Sequence, residues 1–364
     1  SDGFLYPAID KKKCRNCGMC SKICPIQSFA ENNNNAIAAY IVQNKNEEIR
    51  RESTSGGAFT SIAEQIIREN GIVIGAAFND EYSVCHMPAE TSDSLGKFRN
   101  SKYVQSDMTL AINIVEKELA NGRYVLFSGT PCQVEAVRKR FPTEEKLLLV
   151  DVMCREVISP VLLKKYIEAQ EERMKSSISS LTFRDKHYGY HYSVMNIVFK
   201  NARHYRKGLY YDQYLRAFFS DNFARPSCYS CPFRESNRTG DITIWDAWNT
   251  KIYEELKQDD GGATNVLINT EKGERFFKIC LADFYYTEVH IADIYSKNQN
   301  YGIRPQIDLD RSIFFHDARS MGGRELYDKY FPITPYIRIR SWTKAFMYKT
   351  HLYQSIQKIL LDKN

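Results

Sequence analysis

The chain has 364 residues, of which 43% are hydrophobic and 26% charged, and its 50 basic and 44 acidic residues leave a net charge of +6. This size and composition predict a core large enough for one large domain and a small one. Ten cysteines are too few for a disulfide scaffold, no nucleic-acid-binding module accompanies the modest basic excess, and no run of apolar residues is long enough to span a membrane. We therefore expect a cytoplasmic protein with reduced thiols, no transmembrane segment and no nucleic-acid partner.

The first motif along the chain is "CRNCGMCSKICP", the N-terminal cysteine run, in which Cys14, Cys17, Cys20 and Cys24 follow the spacing C-x2-C-x2-C-x3-C-P. Bacterial ferredoxins use this spacing to hold a 4Fe-4S cluster. A structural zinc site is the alternative, but zinc more usually takes two separated C-x2-C pairs or a mixture of Cys and His, and no histidine lies near this run. The run therefore predicts iron–sulfur binding.

Two interpretations are open for Cys24. In two-cluster ferredoxins the fourth cysteine binds the other cluster, whose own three cysteines would here lie upstream. The opening "SDGFLYPAID" has no Met and resembles the strand that joins the halves of such a domain, which predicts that the sequence begins inside that domain. The alternative is that Cys24 completes a single cluster.

The pattern of apolar residues changes after the run. The polar stretch "AENNNNAIAAY" predicts a linker, "TSGGAFTSIAEQIIREN" predicts a helix, and "IVIGAAF" predicts a buried strand. The same alternation continues through "TLAINIVEKELANG", "YVLFSG", "PCQVEAVRKRF" and "KLLLVDVMC", which favours a parallel sheet covered by helices on both faces. Two later segments, "MNIVFKNARHYRKGLYY" and "DITIWDAW", predict antiparallel additions at the other side of the sheet.

The basic and aromatic C-terminal stretch predicts an additional helix. Its apolar face would carry Trp342, Phe346, Leu352, Ile356 and Leu360. A helix of this kind more commonly packs on its own domain, and contact with a membrane surface or a partner is the alternative.

A second cysteine group comes from the loops "SGTPCQ" and "DVMCREVISP" and from "CYSCPF"; its members are Cys132, Cys154, Cys228 and Cys231. The first two follow predicted strands, at the edge of the sheet where ligands are expected. Four thiolates in a reduced compartment predict another 4Fe-4S cluster. The alternative is that Cys132, at a helix start, is a single reactive thiol.

Glycines and hydroxyls crowd two loops that precede helices, "STSGGAFT" and "FSGTPCQ". Backbone N–H groups at such turns bind phosphate, so the loops suit a dinucleotide, although Ser, Thr and Gly also cap helices for structural reasons. "NSKYVQS" adds Lys102 for a pyrophosphate or a flavin carbonyl and Tyr103 for stacking. A solvated lysine is the alternative.

Together, "STSGGAFT", "SKYVQS", "VLFSGTPCQ", "DVMC", "FRDK", "CYSCPF" and "GDITIWDAW" resemble the coenzyme F₄₂₀ hydrogenase/dehydrogenase beta-subunit family, in particular its long bacterial members with a ferredoxin run. The resemblance covers about residues 51–285. It implies FAD beside 4Fe-4S clusters, two or more in all, and electron transfer to an organic acceptor. The chain departs from the family at Arg155, Glu156 and Tyr190, so its substrate contacts are expected to differ.

The resemblance also assigns residues. The flavin-binding stretches fall on Thr54, Ser55, Gly56, Gly57, Lys102, Tyr103, Ser128, Gly129, Thr130 and Gln133. The cluster ligands fall on the second cysteine group. Apart from the resemblance, an enzyme of this kind needs a proton donor, and the candidates at "FRDK" and just after it are Lys186, His187, Tyr188 and His191, with an ordinary surface position as the alternative for the histidines.

Three parts are predicted: a ferredoxin-like segment over residues 1–35, a catalytic domain that binds FAD and iron–sulfur over residues 36–300, and a C-terminal helical extension over residues 301–364. The predicted fold class is mixed α/β with a partly parallel sheet.

The function expected is that of a ferredoxin-dependent flavin reductase. Reduced ferredoxin, or a similar one-electron donor, would supply electrons that reach a small-molecule or sugar-linked substrate through the clusters and FAD, in keeping with surface-polysaccharide pathways in which relatives occur. A homo-oligomer is compatible with this function. The alternative is an electron-transfer subunit that docks to a larger hydrogenase or dehydrogenase complex.

Overall fold

The structure is a computed structural model, and it describes residues 2–27, 29, 36–234, 238–296, 307 and 309–350. The polar residues 30–35 of the predicted linker lie outside this part of the chain. So do Leu352, Ile356 and Leu360 of the predicted C-terminal helix.

The strands are β1 (Ala38–Asn44), β2 (Ile72–Phe78), β3 (Val84–Ala89), β4 (Val125–Gly129), β5 (Leu147–Val152), β6 (Ile178–Asp185), β7 (Val194–Phe199), β8 (His204–Gly208), β9 (Ile242–Ala247), β10 (Ala263–Ile268) and β11 (Phe284–Glu288).

The α-helices are α1 (Met19–Ile23), α2 (Glu47–Glu52), α3 (Ala58–Arg68), α4 (Ala111–Ala120), α5 (Pro131–Arg140), α6 (Pro160–Met174), α7 (Gln213–Phe219), α8 (Glu271–Cys280), α9 (Ile291–Ser296), α10 (Arg311–Ser320), α11 (Gly323–Tyr330) and α12 (Pro335–Lys349). Short 3-10 helices cover Asp93–Phe98, Pro226–Cys228, Thr250–Ile252 and Leu281–Asp283.

Eight strands form one sheet in the order β11-β1-β10-β9-β5-β4-β2-β3. The four central strands β9, β5, β4 and β2 run parallel, and antiparallel strands extend the sheet on both sides. This confirms the predicted mixed α/β class with a partly parallel sheet.

Alternate residues of the central strands face two separate cores. Val73, Leu126 and Leu148 pack with α3 and α8, whereas Phe127 and Leu149 pack with α4 and α5 on the other face. Because both faces are covered, the strands are apolar along their whole length, which is why they appear in the sequence as continuous hydrophobic runs.

Two predictions about the later strands are wrong in detail. β9, from "DITIWDAW", is not an antiparallel addition: it pairs in parallel with β5 near the middle of the sheet, because its residues are buried on both faces. β7 and β8 do not join the large sheet either. They form a separate antiparallel sheet with β6, because β6 supplies a partner that lies closer in the sequence.

The chain divides into two compact units. The first unit comprises residues 1–3, 158–224 and 306–364, and it contains β6 to β8 with α6, α7 and α10 to α12. The second unit comprises residues 4–157 and 225–305, and it contains the large sheet. The three-part division by cofactor, with boundaries at residues 35 and 300, stays a prediction.

No helix within the described ranges combines the length and the apolar character that crossing a bilayer requires.

Candidate functional site

The second cysteine group comes from three segments of the second unit. Cys132 lies at the start of α5, directly after the carboxyl end of β4, and Cys154 follows the carboxyl end of β5. Because β4 and β5 are parallel neighbours, these two cysteines leave the sheet at the same edge. Cys228 ends a 3-10 helix, and Cys231 stands three residues later.

A short backbone pairing explains how the chain returns to Cys154. In the first unit, Ile158 and Ala224 form an antiparallel bridge, and both residues are fully buried. Cys154 stands four residues before Ile158, and Cys228 stands four residues after Ala224. The segment between Ile158 and Ala224 therefore begins and ends at paired residues. Each of these residues is four positions along the sequence from a predicted cluster ligand.

The four thiols of the second group influence one another electrostatically. Burial raises the pKa of Cys132, Cys154 and Cys228, and the neighbouring cysteines raise each of these values further. Four thiolates at such close quarters would repel one another unless a cationic centre compensated their charge, so the donor set fits a 4Fe-4S cluster. Among the described residues, no three Cys, His, Asp or Glu side chains converge on a single metal ion. In a 4Fe-4S cluster each thiolate binds a different iron, so the sulfurs surround a larger body.

Arg234 joins two of the cysteine segments. Its guanidinium donates hydrogen bonds to the carbonyl oxygen of Arg155, next to Cys154, and at 3.2 Å to the carbonyl oxygen of Cys228. The side chain is only 7% exposed. Sequence reasoning missed this residue, because a single arginine after "CPF" carries no local signal of such a role.

Asp151 is a second residue that the sequence did not single out. It lies on β5, three residues before Cys154, and is fully buried. Its carboxylate accepts a hydrogen bond from Thr243, and the guanidinium of Arg238 lies 3.9 Å away. Burial raises its pKa to about 6, although Arg238 and Thr243 act in the opposite direction. A buried carboxyl with a raised pKa beside a ligand edge is a recognised mark of functional sites.

The N-terminal cysteine run is largely open to solvent. Cys14, Cys17 and Cys20 are exposed, and Cys24 is half-buried. Gly18 has a left-handed backbone with φ of 70° where α1 begins, so the run curls as a loop that leads into a short helix.

Contacts at both ends hold the run against the rest of the second unit. The guanidinium of Arg225 lies 4.7 Å from the ring of Tyr6, and the rings of Phe29 and Phe233 are 5.4 Å apart in an edge-to-face arrangement. α1 also lies against α5, the helix that begins at Cys132. The N-terminal run is therefore a neighbour of the segments that carry the second cysteine group.

Hydrogen bonds connect the three predicted flavin-binding stretches. The backbone N–H of Ser101 donates to Oγ1 of Thr54 at 2.7 Å, and Nε2 of Gln133 donates to Oγ of Ser106 at 2.8 Å. The stretch 100–106 thus bridges residues 54–57 and residues 128–133. The structure brings together the loops that the motifs predicted, and their contact with a flavin stays a prediction.

Each of the two glycines of "STSGG" stands at a position that requires glycine for its own structural reason. A Cβ on Gly56 would lie 2.3 Å from the carbonyl oxygen of Val42, and Gly57 has a φ of +84° at the N-cap of α3. The Gly56 N–H donates to Oγ1 of Thr264 at 2.7 Å, and the Ser55 hydroxyl lies 2.8 Å from the same oxygen. Contacts within the protein therefore hold this loop tightly.

The starts of α3 and α5 differ in how their free N–H groups are satisfied. A reciprocal capping box between Thr130 and Gln133 closes the start of α5. α3, in contrast, has no side-chain cap from any described residue. Of the two predicted phosphate cradles, the start of α3 is therefore the one that no described side chain caps.

Lys102 is committed to its own loop. Its Nζ donates to the carbonyl oxygens of Lys97, Arg99 and Asn100 at 2.9, 2.8 and 3.1 Å, and burial lowers its pKa to about 7. An ammonium group has three N–H donors, and all three are used here. The predicted contact of Lys102 with a flavin carbonyl or pyrophosphate would need one of these bonds to be exchanged.

His86 packs against β4 close to the predicted flavin-binding stretch 128–133. It is 4% exposed, its ring stacks on Phe127 with 5.1 Å between centroids, and its Nε2 lies 3.1 Å from the carbonyl oxygen of Ser128. Burial lowers its pKa to about 4. A neutral imidazole with the proton on Nε2 therefore donates to the loop that contains Ser128 and Gly129.

One small polar cavity of about 190 Å³ lies at the amino-terminal side of β5 and β9. Its lining includes Arg138 and Lys272, but Arg138 pairs with Glu135, and Lys272 pairs with Asp241. The cavity is on the side of the sheet away from Cys154, and its cations are already engaged.

The proposed proton donors lie elsewhere in the chain. Lys186, His187 and His191 follow β6 in the first unit, on the turn before β7, and both histidines are exposed. Burial and Arg206 lower the pKa of His187. Their role in proton transfer stays a prediction.

Comparison with known proteins agrees with these motifs. Residues 122–293 match a family model that describes the C-terminal part of the beta subunit of coenzyme F₄₂₀ hydrogenase/dehydrogenase. No curated protein matches the chain. Among solved structures, the fold is similar to a chain of the F₄₂₀-reducing NiFe hydrogenase complex from Methanosarcina barkeri, with a TM-score of 0.50 and 18% identity over 82% of this chain and 93% of that one.

The matched segment begins just before β4 and ends in α9, so it includes every member of the second cysteine group. This match covers less than half of the chain, and it bears out the resemblance to that family that the sequence motifs predicted.

Proposed function

We propose that this chain is an iron–sulfur flavoenzyme that takes electrons from reduced ferredoxin or a similar donor and delivers them to an organic substrate. The observation that carries this proposal is the gathering of four thiols from three segments at the edge of the sheet, beside an N-terminal cysteine run with ferredoxin spacing. The second cysteine group would hold one 4Fe-4S cluster, and Cys14, Cys17 and Cys20 another. The substrate class proposed is a small or sugar-linked molecule of surface-polysaccharide synthesis.

FAD is the proposed organic cofactor. When bound, it accepts electrons singly and passes them on in pairs. Its diphosphate would lie at the start of α3, which no described side chain caps. The loops at 100–106 and 128–133 would flank the rest of the cofactor, since hydrogen bonds tie both to the same framework.

The first test is the cofactor content of anaerobically purified protein. Acid treatment should release FAD that chromatography identifies, with the iron still bound before treatment. Protein that retains its iron and contains no flavin would contradict the proposal.

The second test concerns the second cysteine group. The double substitution Cys228→Ser and Cys231→Ser should remove about four irons per chain, the content of one cluster. Cys85→Ser is the matched control, because this half-buried cysteine belongs to neither group. An unchanged iron content in the double variant would make the pair structural.

A second function is favoured by the family, whose description names hydrogenase and dehydrogenase. In that case the chain is an electron-transfer subunit, with coenzyme F₄₂₀ or a catalytic partner protein as the acceptor. The two functions differ in a single-turnover experiment. Chemically reduced protein should reduce a small-molecule substrate by itself if it is an enzyme, and should do so only after a partner or F₄₂₀ is added if it is a subunit.

A further inference from the structure

The last described helix, α12, presents two opposite faces. Ser341, Ala345 and Tyr348 recur at spacings of four and three residues, and they pack on the first unit. Tyr348 stacks on Tyr192 with 4.8 Å between ring centroids, and Ser341 hydrogen-bonds the hydroxyl of Tyr192. The helix therefore packs on the first unit through a face other than the predicted one, since Trp342 and Phe346 of the predicted face are 70% and 47% exposed.

The opposite face forms an apolar stripe, whose members are Tyr336, Ile339, Trp342 and Phe346. They recur every three or four residues and are between 47% and 70% exposed. Trp342 and Phe346 stack on each other with 5.7 Å between ring centroids, so these two rings form one aromatic surface within the stripe. No described residue covers it. Contiguous exposed apolar surface of this kind marks an interaction site rather than ordinary surface.

The charges around the stripe favour one class of partner. α12 carries four basic residues, Arg338, Arg340, Lys344 and Lys349, and no acidic residue. Arg338 and Lys349 are exposed along one side of the stripe, and Arg340 is exposed along the other. Cations on both sides of an aromatic stripe match a surface that is anionic at its boundary and apolar just beneath, which is the profile of an anionic phospholipid leaflet.

Contacts within the first unit hold the helix in place for this role. The guanidinium of Arg340 lies 4.0 Å from the ring of Tyr210, and Nζ of Lys344 lies 5.0 Å from the rings of both Tyr192 and Tyr210. These cation–π contacts fix α12 on the segments that flank the β7–β8 hairpin, just before β7 and just after β8. The stripe is therefore preorganised and does not have to fold on binding, which lowers the entropic cost of association.

We propose that α12 docks the protein on anionic phospholipid surfaces, with the apolar stripe immersed at the boundary between headgroups and acyl chains and the flanking cations on the lipid phosphates. This binding is peripheral, and it is independent of the cofactors proposed above. A second copy of the chain is the other occupant that the test separates.

Vesicle flotation of the full chain tests this proposal. The protein should float with vesicles of roughly 70% phosphatidylcholine and 30% phosphatidylglycerol at least tenfold more strongly than with phosphatidylcholine alone. Raising the salt from about 0.1 M to about 0.5 M should release most of it, because the charges that attract it become screened. Equal binding to both vesicle types, or no binding to either, would overturn the proposal.

Substitutions separate the stripe from its cations. Trp342→Ala with Phe346→Ala should weaken partitioning by about tenfold or more, since two buried aromatic contacts are lost. Arg338→Gln with Lys349→Gln should weaken it by about fivefold for each charge. Trp342→Phe should bind nearly as well as the wild type. The control is Leu110→Ala with Ile279→Ala, two hydrophobic residues of the second unit that are 69% and 61% exposed, and it should bind like the wild type.

Two further results would contradict the proposal. If Trp342→Ala with Phe346→Ala turned a dimer into a monomer in sedimentation velocity while the wild type ignored vesicles, the stripe would belong to an interface between copies. If the double variant floated like the wild type while keeping its melting temperature, another surface would bind the lipid.

Discussion

Arg234 is the residue on which the geometry of the second cysteine group depends most directly. Its guanidinium satisfies the carbonyl oxygens of Arg155 and Cys228, and it is nearly inaccessible to water. Arg234→Met keeps most of the side-chain volume but leaves two carbonyl groups without their donor. We expect a loss of about 1–3 kcal/mol in the free energy of unfolding and faster loss of iron to a chelator. Arg275→Met is the control, since its guanidinium is 63% exposed in a surface pair, and it should change stability by less than about 0.5 kcal/mol.

Asp212 makes stability depend on pH in an unusual direction. This buried carboxylate accepts hydrogen bonds from Tyr166 and Tyr205 and caps α7, yet burial raises its pKa to about 6. A pKa raised above that of the unfolded chain means that the folded state binds the extra proton. Asp212 therefore favours folding at acid pH, and this contribution is lost as pH rises from about 4 to about 6.

The test compares the wild type with Asp212→Asn, which cannot titrate. The stability of the wild type relative to the variant should fall by about 3 kcal/mol across this pH range. Urea unfolding at several pH values measures it. A difference that does not change with pH would contradict the assignment.

The residues that sequence reasoning identified and those it missed differ in one physical respect. Cys14, Cys17 and Cys20 could be singled out because the metal binding predicted for them depends on spacing within a short stretch of chain. Arg234, Asp151 and His86 act through partners that lie 79, 92 and 42 residues away. These pairs form only when the chain folds, so no pattern of neighbouring residues in the sequence predicts them.

At the scale of elements, the loop before α3 is the most constrained part of the predicted flavin site. Gly56→Ala would place a Cβ 2.3 Å from the carbonyl oxygen of Val42 and 2.6 Å from the backbone nitrogen of Thr264. Neither backbone group can move without disturbing β1 or β10. We expect a loss of about 3 kcal/mol in stability together with lower FAD content. Gly96→Ala is the control: a Cβ there meets no atom within 4 Å, so stability should stay within about 0.5 kcal/mol of the wild type.

Helices and buried strands of the parallel region were predictable because their period and length are properties of single segments. The pairing partners of β7, β8 and β9 were not. The residues of a strand indicate whether it is buried. Which strands it pairs with depends on the other strands of the chain that could pair with the same edge of the sheet. β6 competes successfully for β7, and β5 accepts β9 in parallel only because the chain between them is long enough for a crossover.

At the scale of the whole molecule, the position of the N-terminal cysteine run predicts the route of the electrons. The run packs beside α5 and beside the segment of Cys231 through Phe29 and Phe233, so we expect the cluster proposed for the second cysteine group to accept its electrons. Cys17→Ser should abolish substrate reduction driven by reduced ferredoxin. The same variant should keep its FAD and the four irons of the second group, and chemically reduced variant should still turn over once. Full ferredoxin-driven activity in Cys17→Ser would mean that the donor bypasses the run.

The bridge between Ile158 and Ala224 has a consequence for the order in which the protein is assembled. Bringing Cys154 and Cys228 together in an unfolded chain requires closing a long loop, and the entropy lost grows with the logarithm of its length. We expect the backbone pairing of these two buried residues to meet part of that cost in the metal-free chain. Metal-free protein should then take up iron and sulfide under reducing, oxygen-free conditions without passing through denaturant.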